Sequence, residues 1–426
     1  MRKNWLKPIA FAVCLTVFLT AFFSFGCQKE EEPSFNAADY PFYTEDYTSL
    51  TYGQTAYEAA MAQPYWLGNV MYNELTLPLR YDSGEAYAKL LYAPLKVVCV
   101  MDQKLKITYE EGTDYVVDRE NRRLTIPDGS SIPLLSEGAD AGVNPPDGYE
   151  YTTGMPDASR LYTIWGGGTP YVYTESSYFY AKYLSVTYAY DVSALPKNLF
   201  NSYDVTYLYR TRTKLESKQD ITVAVLGDSI SEGCSSTGDS LKVEPYTPCY
   251  AKQIKAELER IYGGNVNLVN AAKGGTKSEW PLTGEGSGAM QNAIDAVPDL
   301  CIVAYGMNDM GGTTKNTFKT NIEQIMMKIK AASPDCDFIL INSFPCNPLY
   351  EQGDNVFGKY LNALEEISAE NNDGSVKVID LQSVGKYFME TKRYCEISSS
   401  NVNHPNDFMH RVYAMNVMTA ICNYKF

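Results

Sequence analysis

Residues 221–233 read ITVAVLGDSISEG, and this stretch decides the fold of the second half of the chain. The nearly continuous apolar run 221–226 is typical of a strand that is buried on both faces of a sheet. Gly227, Asp228 and Ser229 follow at once, where a strand of a parallel sheet ends and functional residues gather. The stretch therefore predicts a buried strand that leads directly into a serine.

Similar strands alternate with amphipathic segments as far as the carboxyl end of the chain. Further strands are predicted at 266–269, 300–304, 338–341 and 376–379. Helices are predicted at 249–262, 287–297, 314–332, 357–371 and 405–424. Buried strands alternating with helices predict an α/β domain over 220–426, with a parallel sheet covered on both faces.

The region before this domain has a different pattern. Most of the 35 tyrosines lie between Asp39 and Lys214, and short alternating stretches are separated by glycine-rich turns. This pattern predicts a β-rich, sandwich-like domain over 41–215. Its tyrosines and Trp165 either stack on sugar rings or reflect the preference of aromatic residues for strands. Strands are predicted at 105–109, 123–126, 183–190 and 204–209.

The first 27 residues are predicted to be a targeting segment. A basic start precedes an apolar run from Pro8 to Phe25, as in secretory signals, although the run is also just long enough to span a membrane. The run ends at Gly26-Cys27, which resembles a bacterial lipoprotein signal with Cys27 as the lipidated residue. Residues 28–40 then form a polar tether. We expect an exported protein held at the membrane by an N-terminal lipid.

Composition excludes several classes of function. The formal charge is −15 with no basic block, so nucleic acid is not an expected partner. There are only two histidines, His404 and His410, which excludes a histidine-rich metal site. The cysteines form no C-x-x-C pair, so we expect neither a metal nor a cofactor, and the disulfide pattern stays open.

Four loops of the α/β domain carry polar residues that suggest chemistry. Three of them follow predicted strands, and the fourth opens the last helix. Each motif is weak by itself, because a Gly-Asp-Ser after a strand is commonly only a turn or a helix cap. Together they supply a serine, two candidate oxyanion donors and one histidine at one edge of the sheet. The loops are 227–233, 270–276, 305–309 and 403–407.

These motifs resemble the four blocks of the SGNH/GDSL family of serine esterases and lipases. The resemblance covers about 220–426 and implies a flavodoxin-like, three-layer α/β/α hydrolase domain. It makes Ser229 the nucleophile and His404 the base. It also assigns the oxyanion hole to Gly275, Asn308 and the backbone N–H of Ser229.

One position departs from the family pattern. The family usually has an aspartate three residues before its histidine, where this chain has Asn401. Three outcomes are open. Asn401 or a backbone carbonyl orients His404 in a dyad, another carboxylate such as Glu396 or Asp407 substitutes, or the enzyme is slow or inactive.

Other residues near the motifs have mainly structural interpretations. Asp228 is expected to form the turn that positions Ser229, and Asp309 to support the loop of Asn308. His410 lies on the opposite face of the last helix from the motif histidine. Lys273 and Trp280 either line the site or serve the surface and the packing.

The sequence thus predicts an exported serine esterase that acts on carboxylic esters. The combination of export and an added β-rich domain favours removal of acetate from a carbohydrate. One alternative is a lipid esterase or thioesterase. A second is a glycan-binding surface lipoprotein whose hydrolase domain is degenerate, which Asn401 favours.

Overall fold

The parallel sheet forms around the strand that residues 221–227 build. A computed structural model of the chain describes residues 36–50, 61–144, 162–166, 169–349 and 356–424. Five strands of this region are β12 (Ile221–Gly227), β13 (Val266–Asn270), β14 (Leu300–Ala304), β15 (Asp337–Asn342) and β16 (Val376–Asp380). They are parallel and lie in the order β13-β12-β14-β15-β16, with the first strand of the domain inside the sheet.

Helices connect these strands. The amphipathic pattern of residues 249–262 forms one of them, which ends at Gly263 with a left-handed φ of 77°. Within the described residues the helices are α1 (Tyr209–Glu216), α2 (Ser229–Glu232), α3 (Tyr250–Tyr262), α4 (Ser287–Asp295), α5 (Lys315–Ala332), α6 (Val356–Glu370), α7 (Leu381–Met389) and α8 (Asp407–Ile421). The predicted α/β fold with a parallel sheet is confirmed.

The first part of the chain is β-rich, as predicted. One sheet has the order β1-β11-β4-β5 and is antiparallel, a second has the order β6-β7-β3-β2-β8, and β9 pairs with β10. The strands are β1 (Val70–Thr76), β2 (Leu79–Arg80), β3 (Ala86–Lys89), β4 (Pro94–Asp102), β5 (Thr108–Tyr109), β6 (Val116–Asp118), β7 (Arg123–Thr125), β8 (Leu135–Ser136), β9 (Tyr162–Gly166), β10 (Thr169–Tyr173) and β11 (Leu184–Tyr190).

Tyrosines fill much of the core of this region. Tyr188 and Tyr190 on β11 are fully buried, and the Tyr92 ring stacks on Tyr190 with centroids 4.7 Å apart. Burial of these rings agrees with the packing interpretation of the tyrosine-rich pattern. The side chain of Trp165 lies outside the described set.

The predicted strand at 204–209 is wrong. Asp204 accepts a hydrogen bond from Thr206 N at 2.9 Å, so the chain turns there, and Leu208 takes a left-handed φ of 55° before α1 begins. Alternation of polar and apolar residues suggested a strand, but the local side-chain hydrogen bond stabilises a turn instead.

A buried charge network joins the two regions, and residues Ala37–Phe426 form one compact unit. Lys392, which follows α7, pairs with Glu74 of β1, and both side chains are buried. Glu396 lies 3.7 Å from the same ammonium and accepts hydrogen bonds from Leu77 N and Thr76 Oγ1, both at 2.9 Å. Removing one partner of such a network leaves a buried charge uncompensated, which commonly costs about 3–5 kcal/mol.

The targeting predictions fall outside this description. The signal segment 1–27 with Cys27, and most of the tether 28–40, lie among residues that the structure does not describe. Over the described part of the chain, no helix combines the length and apolar character needed to cross a bilayer.

Candidate active site

Ser229 stands at the amino end of α2, directly after β12. The Asp228 carboxylate caps this helix by accepting a hydrogen bond from Ile230 N at 3.0 Å, as expected for a residue that forms the turn. Burial raises the pKa of Asp228 to about 7. Ser229 is 5% exposed, so its hydroxyl lies in a recess at the carboxyl edge of the sheet.

His404 contacts Ser229, although 175 positions separate them in the chain. Its Nε2 lies 2.9 Å from Ser229 Oγ, and the residue is 8% exposed. The loop before α8 holds the histidine, because Ser400 Oγ accepts from His404 N at 3.0 Å and Ser398 Oγ donates to His404 O at 2.6 Å. The sequence-predicted serine and histidine are therefore in hydrogen-bond contact.

The other ring nitrogen of His404 meets a carboxylate that sequence reasoning did not find. Nδ1 lies 2.8 Å from Oε1 of Glu175, which follows β10 in the β-rich region. An ionised carboxylate can only accept hydrogen bonds, so Nδ1 carries the proton. The lone pair of Nε2 is then directed at the Ser229 hydroxyl, which is the tautomer that a general base needs.

Several donors keep Glu175 ionised. Burial raises the pKa of its carboxyl group, but His404 and hydrogen bonds from His404, Tyr173 and Ser235 lower it, and the net effect is a pKa below the usual value. Tyr173 OH donates to Oε1 at 2.6 Å. Burial, followed by the charge of Glu175, raises the pKa of Tyr173, so the phenol stays protonated and continues to donate.

Nδ1 of His404 contacts Glu175, and not Asn401, a backbone carbonyl, Glu396 or Asp407, which the sequence had left open as orienting groups. Asn401 donates its side-chain amide to the carbonyls of Val172 and Asp140, at 2.9 and 3.0 Å. The geometry therefore does not agree with the outcome in which Asn401 orients His404 directly, and it agrees with the outcome in which another carboxylate takes that place.

The two alternative carboxylates are engaged elsewhere. Glu396 belongs to the buried network around Lys392. Asp407 accepts hydrogen bonds from Thr237 N and Oγ1, at 2.9 and 2.6 Å. No local motif marks Glu175, since it lies 229 positions before His404.

The loops after β13 and β14 lie beside Ser229. A Cβ placed on Gly274 would come within 3.5 Å of the Ser229 Cβ, and Gly275 has a left-handed φ of 76° that suits glycine. Asn308 Nδ2 donates to Thr276 O at 3.0 Å, which holds the amide plane between the two loops. Gly275 thus lies in the loop beside Ser229, and the Asn308 amide is hydrogen-bonded to that same loop.

Nearby polar residues support these loops. Asp309 is buried and accepts from Ser278 N at 3.0 Å and from Ser278 Oγ at 2.6 Å, which ties the two loops together. Lys273 is exposed and lies 3.5 Å from Glu232, while Trp280 opens a short 3₁₀ helix. These two observations do not assign Lys273 or Trp280 to substrate binding.

His410 is buried in α8 and does not contact Ser229. Its Nε2 lies 3.3 Å from the carbonyl of Cys234. Burial lowers its pKa from 6.5 to about 4, so the folded protein keeps it neutral while the unfolded chain protonates it. Its contribution to stability is therefore present above pH 6.5 and is lost as the pH falls towards 4.

We expect His410→Gln to make the free energy of unfolding depend less steeply on pH between pH 6.5 and 4. As the pH falls from 6.5 to 4, the free energy of unfolding of the wild type should decrease by on the order of 1 kcal/mol more per pH unit than that of the variant. Urea unfolding of both proteins across this range measures the difference between their free energies of unfolding. The buried aspartates are common to both proteins, so their contributions cancel in this difference. Parallel profiles would contradict the expectation.

Among the described residues, no group of three histidine, cysteine, aspartate or glutamate side chains is placed to hold a metal ion. The cysteines of the same part of the chain are free thiols: Cys99, Cys234, Cys249, Cys301, Cys336, Cys346, Cys395 and Cys422.

The geometry agrees with a family match. Residues 225–412 match the model of the GDSL-like lipase/acylhydrolase family. These residues therefore match a GDSL-like acylhydrolase domain, a kind of serine hydrolase domain that acts on ester bonds. A search of curated proteins gives no match.

Several solved structures are similar to this chain. A two-domain esterase active on acetylated mannans is 19% identical, with a TM-score of 0.41, and the match covers 51% of this chain and 54% of that one. An acetylxylan esterase from Geobacillus stearothermophilus is 15% identical, with a TM-score of 0.38 and coverage of 46% and 92%. A further acetyl xylan esterase is 20% identical, with a TM-score of 0.37 and coverage of 47% and 100%. This chain thus spans about half the length of the two-domain esterase.

Proposed function

We propose that the protein is a serine esterase that removes small acyl groups, acetate first, from a carbohydrate. The observation that carries the proposal is the hydrogen-bonded series from Glu175 through His404 to Ser229. A serine hydroxyl is a poor nucleophile until an adjacent base takes its proton. His404 is oriented for that task by a carboxylate on its far side.

The reaction begins when Ser229 Oγ attacks the carbonyl carbon of the ester. His404 Nε2 takes the hydroxyl proton, and Glu175 stabilises the imidazolium that forms. The negative charge on the carbonyl oxygen is met by the N–H groups of Ser229 and Gly275 and by the Asn308 amide. One such donor typically contributes ~10²–10³ in turnover.

The intermediate then collapses, and the bond to the leaving oxygen breaks. His404 gives its proton to the departing alcohol, which leaves the acyl group on Ser229. A water molecule is next deprotonated by His404 and attacks the acyl-enzyme. The carboxylic acid is released, and Ser229 recovers its proton.

The carbohydrate part of the proposal rests on context. An N-terminal export signal with a lipidated Cys27 would place the protein at the cell surface or in the periplasm, facing polymers that enter from outside. The β-rich region contributes Glu175 to the site, so it belongs to the hydrolase itself.

The test is a substrate panel at equal enzyme concentration. We expect p-nitrophenyl acetate to be hydrolysed faster than the butyrate and octanoate esters, and acetate to be released from acetylated xylan or mannan oligosaccharides. Ser229→Ala provides the blank for every substrate. A preference for long acyl chains would favour a lipid esterase, and glycan binding without acetate release would favour a binding protein.

A further inference from the structure

Asn401 lies where the His404 loop meets β10. The residue is 2% exposed and has a left-handed φ of 60°, a conformation that asparagine tolerates better than most residues. Its Nδ2 donates to the carbonyls of Val172 and Asp140. Both of these partners are acceptors only, so the NH₂ end of the amide must face them.

A second hydrogen bond joins the same two segments. Thr174 N donates to Ser400 O at 3.2 Å. Residues 172–174 are thus connected at two points to residues 400–401. Glu175 comes one residue after the first segment and His404 three residues after the second. The contact between Glu175 and His404 therefore depends on how these segments are held together.

We propose that Asn401 is a positioning residue that acts through Glu175. Its amide holds the end of β10 against the histidine loop, so that the Glu175 carboxylate stays within reach of Nδ1. The inference rests on the proposed function, because it concerns the base of that reaction. The position that usually carries an aspartate in the family that the motifs resemble here needs a donor, since the carboxylate comes from the segment after β10.

An aspartate at position 401 would not restore the family pattern. Its carboxylate would face the carbonyl oxygens of Val172 and Asp140 in a buried place, and acceptors that face each other repel. We expect Asn401→Asp to separate β10 from the loop and lower activity. If Asn401 stood in for the usual aspartate, the same change would raise activity.

The test is a double-mutant cycle between Asn401 and Glu175. Asn401→Gly removes the amide and keeps the left-handed backbone accessible. We expect it to lower kcat/KM by ~10²-fold, the effect of misplacing a catalytic group by about 1 Å. In the Glu175→Gln background the same change should cost less than threefold. Residues that act through one another behave in this non-additive way.

Asn416→Ala is the matched control. Asn416 is also buried, and its amide donates to a backbone carbonyl, that of Val412 at 2.9 Å, but it lies within α8 away from Glu175. The control variant should have a lower Tm but should not show the ~10²-fold loss of kcat/KM. An additive cycle, an active Asn401→Asp, or an equal loss in Asn416→Ala would overturn the positioning role. If the wild type itself has no activity above the Ser229→Ala blank, the proposed function fails instead.

Discussion

Replacing Ser229 by alanine is expected to lower kcat by ~10⁶-fold, because the reaction then has no group to form the acyl-enzyme. Ser229 Oγ lies 2.9 Å from His404 Nε2. A fluorophosphonate probe should label the wild type and leave the variant unlabelled. His404→Ala should cost nearly as much, and the double variant little more, since the two residues act as a unit.

Ser231→Ala is the control for this experiment. Ser231 lies on the same short helix, but its Oγ hydrogen-bonds the Tyr250 hydroxyl at 2.7 Å in the interior. The control should keep its activity within a few-fold and remain labelled by the probe. Equal rates for the wild type and Ser229→Ala would contradict the esterase proposal.

Glu175→Gln is expected to lower kcat/KM by ~10⁴-fold, the size of the effect of the equivalent aspartate-to-asparagine change in serine proteases. A glutamine removes the charge that stabilises the imidazolium. Its NH₂ group can also donate to Nδ1, which favours the tautomer with the proton on Nε2. That proton would point at Ser229 and prevent His404 from acting as a base.

A second variant separates this role from a structural one. Glu396→Gln is the comparison, because it disturbs a buried network without touching His404. We expect it to lower Tm and to keep the turnover of the folded enzyme. A Glu175→Gln variant within tenfold of the wild type would refute the orienting role.

Much of the α/β domain could be predicted because its signals are local. The buried strands are short apolar runs, and the helix caps and glycine turns lie next to the segments that they end. The prediction of a strand at 204–209 was wrong because an alternating pattern does not indicate the hydrogen bond between Asp204 and Thr206. The proximity of Ser229, Asn308 and Gly275 followed from one rule, that the ends of parallel strands meet at one edge.

The orienting carboxylate could not be predicted in this way. Glu175 follows a strand of the β-rich region and belongs to none of the four motifs. Glu396 and Asp407 were nearer to His404 in the chain, but the first is engaged with Lys392 and the second with Thr237. Distance along the chain was a poor guide, because the partner of Nδ1 is supplied by a separate part of the fold.

The sequence by itself predicted the α/β domain, and the resemblance of its four motifs to a known family implied Ser229 as the nucleophile and His404 as the base, with no aspartate at position 401. The periodicity and each motif are local, so they can be read without knowing how distant segments pack. Only the tertiary structure decided which group completes the site. It brings β10 against the histidine loop through Asn401 and Thr174, and so places Glu175 2.8 Å from Nδ1. Such a contact depends on the packing of two regions, which no local pattern records.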